Sequence, residues 1–188
     1  MNLRPFIHRV PDFPIQGITF WDIMDLLRHP EAFGWTIEQF AKTFKEYAID
    51  SVAAPESRGF LFGCPVAKEL GIGFVPIRKP GKLPRQTIQE RCTLEYGVTT
   101  MEMHEDAIAK GERVLLIDDV LATGGTALAC ASLIERQGGI VAGMGFLLDL
   151  QYIPRKAALA AYPTFSLLQF TAKDLGKKTK SVATITAS

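Results

Sequence analysis

The chain has 188 residues, with 21 Lys and Arg against 20 Asp and Glu and a formal net charge of +1. That length predicts one domain, since domains run ~100–200 residues, and a chain of this size buries roughly 70% of its unfolded surface without needing a staple or a metal. Near-neutral charge excludes a broadly basic nucleic-acid or membrane-surface binder, and 47% hydrophobic with 22% charged residues is the composition of an ordinary globular protein.

In chain order, the segment through Gly17 carries Pro5, Phe6, Pro11, Phe13 and Pro14. Proline blocks regular pairing, so this segment predicts an ordered arm or loop. It holds no apolar run of signal-peptide length, and no stretch of the chain approaches the ~18 apolar residues of a membrane span. Residues 22–27 read as a short helix stopping at His29-Pro30. From Thr36, read as an N-cap, Ile37, Phe40, Ala41, Phe44 and Ala48 recur at helical spacing. Residues 51–54 form a short apolar strand running into Pro55-Glu56-Ser57-Arg58-Gly59. A buried helix over 60–70 follows, closed by Gly71. Residues 74–77 read as a strand, broken by Arg78-Lys79-Pro80-Gly81-Lys82. No long period survives over 84–97, and 99–103 alternates weakly, the pattern of a strand exposed on one face.

Residues 113–118 are a near-continuous apolar strand of the kind buried on both faces of a parallel sheet. A Gly/Thr loop, a helix over 125–137 stopped by Gly138-Gly139, and a strand over 140–148 complete a βαβ unit. With the earlier strand–helix steps, the fold class is α/β, a mostly parallel central sheet flanked by helices. From Thr171 the chain ends in a basic tail, with Lys173, Lys177, Lys178 and Lys180 against Asp174, read as a solvated terminus.

The run Asp118-Asp119-Val120-Leu121-Ala122-Thr123-Gly124-Gly125-Thr126 carries the chemistry. In parallel α/β sheets ligands bind beyond the carboxyl ends of the strands. The two glycines let the backbone curl so that several N–H groups and a helix N-terminus face one anion, with Thr123 and Thr126 adding hydroxyls. This is a phosphate cradle without the spacing or lysine of a P-loop. Two carboxylates before a phosphate loop make sense if they accept hydrogen bonds from sugar hydroxyls, with Mg²⁺ offsetting their repulsion from phosphates. The ligand so described is a ribose 5-phosphate. The bland alternative is a helix cap followed by a glycine turn.

The run resembles the 5-phosphoribosyl 1-pyrophosphate (PRPP) binding motif of the type I phosphoribosyltransferases. Other segments resemble the branch of that family acting on adenine. They are Pro11-Asp12-Phe13-Pro14, Gly17-Ile18-Thr19-Phe20, Glu56-Ser57-Arg58-Gly59-Phe60-Leu61-Phe62-Gly63, Ile77-Arg78-Lys79, Gly81-Lys82-Leu83-Pro84, Leu94-Glu95-Tyr96-Gly97 and Phe165-Ser166-Leu167-Leu168, and they fall in the family's order over about residues 11–170. The resemblance implies one phosphoribosyltransferase domain over 1–170, with a hood or base-binding arm over about 1–35, a mobile lid over about 82–103, and the basic tail over 171–188.

It further implies that Asp118 and Asp119 hold the ribose hydroxyls and that Ala122, Thr123, Gly124, Gly125 and Thr126 bind the 5-phosphate. Glu56, Ser57 and Arg58 form a pyrophosphate loop, where the family often has a non-proline cis peptide, and Arg78, Lys79 and Lys82 supply further cations there. Glu95 and Tyr96 close over the reaction centre as the catalytic pair. Thr19, Phe20 and Trp21 build the adenine pocket, with Trp21 standing where the family usually has arginine. Mg²⁺ is implied as cofactor, held by PRPP, pyrophosphate and water rather than by a protein ligand. The implied partners are adenine, PRPP, AMP, pyrophosphate and a second copy of the chain as a homodimer, with no nucleic acid and no membrane. Rival readings are an enzyme for another purine base and a PRPP-sensing regulator without turnover. His8, His29 and His104 lack ligand-like spacing and read as surface or cap residues. The scattered Cys64, Cys92 and Cys130 argue against disulfides and zinc and predict a reducing, cytoplasmic setting. Cys64 and Cys130 read as core thiols and Cys92 as a lid residue open to solvent.

Overall fold

The structure is a computed structural model that describes residues 1–94 and 97–176. Glu95, Tyr96 and residues 177–188 of the tail lie outside the described residues.

A five-stranded sheet is the centre of the fold. Its strands are β3 (Ser51–Pro55), β4 (Gly73–Ile77), β7 (Arg113–Leu121), β8 (Ile140–Leu150) and β9 (Thr164–Phe170), in the spatial order β4-β3-β7-β8-β9. Every pairing in it is parallel. Along β7, Leu115 and Ile117 join a core cluster with Phe40, Phe44 and Phe62, while Val114 and Leu116 join one with Cys130, Met144 and Phe146. Successive side chains of a strand point to opposite faces, so a strand covered on both must be apolar throughout. The covers are α2 (Pro30–Phe44) and α3 (Arg58–Leu70) on one face and α4 (Gly125–Arg136) on the other. No described helix is long and apolar enough to cross a membrane.

Several expectations change. The proline-rich arm is paired: β1 (His8–Pro11) lies antiparallel to β2 (Thr19–Asp22) as a small hood hairpin. Its prolines fall at strand and turn ends, where no ladder donor is lost. The second helix starts at Pro30, not Thr36. A proline at the first helical position loses only an N–H that has no partner anyway, and His29 Nδ1 accepts from Ala32 N at 3.4 Å as the cap. Thr36 is buried inside this helix and donates its hydroxyl to Ala32 O at 2.8 Å. The short α1 (Met24–Arg28) precedes it as predicted.

The stretch assigned to the lid is mostly an antiparallel hairpin: β6 (Gly97–His104) contains the strand predicted over 99–103, and β5 (Thr87–Leu94) lies in the part read as aperiodic. Polar contacts hold β5 against α4, which is why it shows no hydrophobic period. Ser132 Oγ donates to Glu90 Oε2 at 3.0 Å, and Arg136 Nη1 donates to Gln89 O at 2.7 Å. The cysteines exchange places: Cys92 is buried under the hairpin and Cys64 is exposed, while Cys130 is a core thiol as predicted. Burial raises the Cys92 and Cys130 thiols above their ordinary range.

Candidate active site

Strand β3 has β4 on one side and β7 on the other, so the strand order reverses there. Crevices that take ligands open at such reversals. A cleft of about 410 Å³ lies at this point, lined by residues 55–58 after β3, by Lys79, and by Asp118, Asp119 and Thr126 around the end of β7. A second hollow of about 70 Å³ is walled by residues 120–127 and Phe146. Val120, Ala122 and Thr126 line both, which makes them one continuous surface.

The hollow is the loop read as a phosphate cradle. Gly124 takes φ +81° as the residue before α4, so the helix N-terminus opens directly onto it. Thr123 Oγ1 accepts from Gly125 N at 3.3 Å, and Lys156 N donates to Thr123 O at 3.0 Å from behind. Cys92 Sγ donates to Thr126 Oγ1 at 3.8 Å, leaving the Thr126 hydroxyl proton available to an anion. Nothing in the residue order signals that a thiol from the hairpin reaches this loop.

The acid pair forms the floor. Asp119 is 5% exposed, and Asp118 keeps some surface in the cleft but is otherwise enclosed. Asp118 Oδ1 accepts from Asp119 N at 2.8 Å. Burial, then the neighbouring Asp119 charge, pushes the Asp118 carboxyl well above the ordinary range. Burial also raises Asp119, opposed first by Arg58, whose Nε lies 2.5 Å from Asp119 Oδ2 as a close ion pair without hydrogen-bond alignment. Full ionisation of both carboxylates is therefore disfavoured, and more strongly at Asp118 than at Asp119.

Arg58 opens α3, and the Glu56–Ser57 peptide before it is cis. The close fit here depends on Gly59. A Cβ on it would lie 3.0 Å from both Asp118 Oδ1 and Pro55 Cδ, and 3.3 Å from Ile117 O. Gly59→Val is expected to push α3 off the acid pair and to destabilise the protein by ~1–3 kcal/mol, as overpacking does. Thermal melts would check this, and a variant melting with the parent would contradict it.

Arg78 pairs with Glu56 (Nε to Oε2, 2.7 Å) and donates from Nη1 to Lys82 O at 3.0 Å. The cationic turn is thereby tied to the loop after β3. Lys79 lines the cleft, and Lys82 follows in the same turn without lining it. Of the three hood residues, Phe20 is the one brought to the cleft: the Arg58 guanidinium lies 5.1 Å over its ring, and Phe13 packs edge-on to it at 5.2 Å. Trp21, the next residue on β2, points the other way. Its indole is buried, donates to Tyr152 Oη at 3.0 Å and stacks 4.1 Å from Phe170. Thr19 begins the same strand. Asp149, near the end of β8, is buried and paired with Arg155.

Among the described residues no group of three or more His, Cys, Asp or Glu converges on a metal position. The acid pair is no cation cage either, since Arg58 already faces Asp119. These described residues do not form a cage for a resident metal.

A surface that seats a phosphate at a helix N-terminus, hydroxyls at an acid pair and a second anion at a cationic loop suits a phosphorylated, activated sugar. Residues 24–150 match the family model of the phosphoribosyl transferase domain, which gives the class. An adenine phosphoribosyltransferase from Maridesulfovibrio salexigens is 55% identical over 169 residues, covering 90% of this chain and 99% of the relative. The crystal structure of adenine phosphoribosyltransferase from Thermoanaerobacter pseudethanolicus superposes with a TM-score of 0.86 at 47% identity, over 89% of this chain and 98% of that one. The Saccharomyces cerevisiae enzyme, solved with an imino-altritol bisphosphate and adenine, matches with a TM-score of 0.81 at 37% identity, over 88% and 96% of the two chains. The chain belongs to the adenine phosphoribosyltransferase family.

Proposed function

We propose that this protein transfers the 5-phosphoribosyl group of PRPP to adenine, giving AMP and pyrophosphate in purine salvage. The observation that carries the reading is the continuity of the cleft with the hollow at the N-terminus of α4. One surface thereby accepts the 5-phosphate, the ribose hydroxyls and the diphosphate of a single ligand.

In this reading Ala122, Thr123, Gly124, Gly125 and Thr126 bind the 5-phosphate through backbone N–H groups and hydroxyls. Asp118 and Asp119 accept the ribose hydroxyls, which orients C1 toward the base. Glu56, Ser57 and Arg58, with Arg78, Lys79 and Lys82, receive the diphosphate as its negative charge grows. Mg²⁺, held by PRPP, pyrophosphate and water rather than by a protein ligand, would supply neutralisation of part of that charge. Adenine sits on the hood side against the Phe20 face, with Thr19 and the Trp21 backbone beside it, and its N9 attacks C1 opposite the leaving group. The N9 proton passes to Glu95, with Tyr96 next to it. These two roles come from the family resemblance, and Glu95→Ala is expected to lower kcat by ~10²–10⁴-fold with little change in the KM for PRPP. Steady-state kinetics check this, and a parental kcat removes Glu95 from the role.

We further propose a homodimer, by resemblance, and a cytoplasmic setting, supported by three free thiols. The deciding experiment supplies PRPP and Mg²⁺ with adenine, hypoxanthine and guanine in turn. AMP formed from adenine supports the reading. A preference for another base would move the chain to a different substrate, and no nucleotide from any base would overturn it.

A further inference from the structure

The turn carrying the diphosphate cations is held from beneath by a residue with no part in the scheme above. Glu102, in the middle of β6, is 3% exposed. Its Oε1 accepts from Gly81 N at 3.0 Å and from Lys82 N at 3.4 Å. Its Oε2 accepts from Thr87 Oγ1 and Gln89 Nε2, each at 3.2 Å. All these partners are neutral donors, and they fill the roughly four lone-pair sites of a carboxylate. A carboxylate buried without a cation is a costly way to build a strand. The strand itself does not need it, because Glu102 already exchanges both backbone hydrogen bonds with Arg78, at 2.8 and 2.7 Å.

What the carboxylate adds is a hold on two consecutive N–H groups of the turn, one of them on Gly81 at φ +77°. Arg78 closes the same turn from the other side, through Lys82 O and Glu56. The turn is thus set between two acceptors, one on the hairpin and one on the loop after β3.

We propose that Glu102 is a positioning residue for diphosphate recognition: its side chain fixes the turn in the shape that presents Lys79 and Lys82 to the leaving group. The proposal rests on the transferase reading but is tested separately from it. Glu102→Leu keeps the backbone bridge and strips both turn N–H groups of their acceptor. It is expected to raise the KM for PRPP about tenfold or more while the KM for adenine stays within about twofold. Glu102→Gln can still accept from Gly81 and Lys82 through its amide oxygen, and is expected to recover most of that loss. Pyrophosphate binding to the unliganded protein, followed by titration calorimetry, gives the same ranking without turnover. It therefore separates failure of this proposal from failure of the transferase reading.

An unchanged PRPP KM in Glu102→Leu, equal rises for PRPP and adenine, or a glutamine variant as impaired as the leucine one would each overturn it. If Glu102→Leu does not fold, the Thr87→Val/Gln89→Leu double variant decides in its place. A rise of a few-fold confined to PRPP supports the role, and no rise overturns it.

Discussion

Replacing Asp118 with Asn is expected to give a protein that melts above the parent at neutral pH yet binds PRPP far more weakly. The ionised Asp118 is disfavoured by burial and by the charge of Asp119, so its carboxyl titrates well above the ordinary range. The folded protein then holds a proton that the unfolded chain releases. Stability is lost as pH rises from the ordinary carboxylate range through the raised value, and the deficit is complete above it. Asparagine is neutral at every pH, and its Oδ1 still accepts the bond that Asp119 N makes at 2.8 Å. The variant should gain about 2–4 °C at neutral pH, the shift that ~1 kcal/mol gives in a domain of this size. The advantage should narrow as the solution is acidified and the parent takes up its proton. PRPP binding should weaken ~10–100-fold, because a hydrogen bond to a charged acceptor is worth ~1.5–3 kcal/mol. Scanning calorimetry across mildly acid to neutral pH, with PRPP titrations, checks both halves. A lower melting temperature at neutral pH, or parental PRPP affinity, would exclude Asp118 as a group whose charge serves the ligand at the expense of the fold.

Arg58→Ala should act in the opposite direction. Asp119 would remain 5% exposed with its cation gone, and breaking a buried pair from one side costs ~3–5 kcal/mol. Because the Arg58 side chain is itself 35% exposed, water screens the pair and ~2–3 kcal/mol is the expected loss. Without Arg58 the main influence lowering Asp119 disappears, so that acid rises further and the loss is largest at neutral pH, shrinking on acidification. Adding Asp119→Asn to Arg58→Ala should return most of the stability, since no unpaired charge is then left behind. A double variant as unstable as Arg58→Ala alone would show that the guanidinium supports the fold by packing on Phe20 rather than by neutralising Asp119.

Much of this was legible from residue order, and the reasons differ by element. The apolar run of β7 declares a strand covered on both faces, and Thr-Gly-Gly-Thr after it declares a tight turn into a helix, because local chemistry dictates both. The hairpin of β1 and β2 was illegible because prolines interrupt its alternation, and β5 because polar contacts with α4, such as Ser132 with Glu90, take the place of a hydrophobic period. Glu102 lies between Met101 and Met103 and reads as the polar side of a strand. Only the fold brings the 81–82 turn over it and buries it. The opposite directions of Phe20 and Trp21 follow from strand alternation once β2 is known to be a strand. Taken as a loop, the same residues give no way to choose between them.

The reversal of strand order at β3 also bears on how the protein matures. Ser51 pairs with Val114 across a long intervening stretch of chain, and contacts between distant segments form late because loop closure must precede them. The acid pair and the Arg58 loop come from opposite sides of that late junction. A partly folded chain, even one with the βαβ unit of β7, α4 and β8 complete, has only half of the cleft. A ligand that needs both halves of the cleft would bind only the finished fold and stabilise it by mass action.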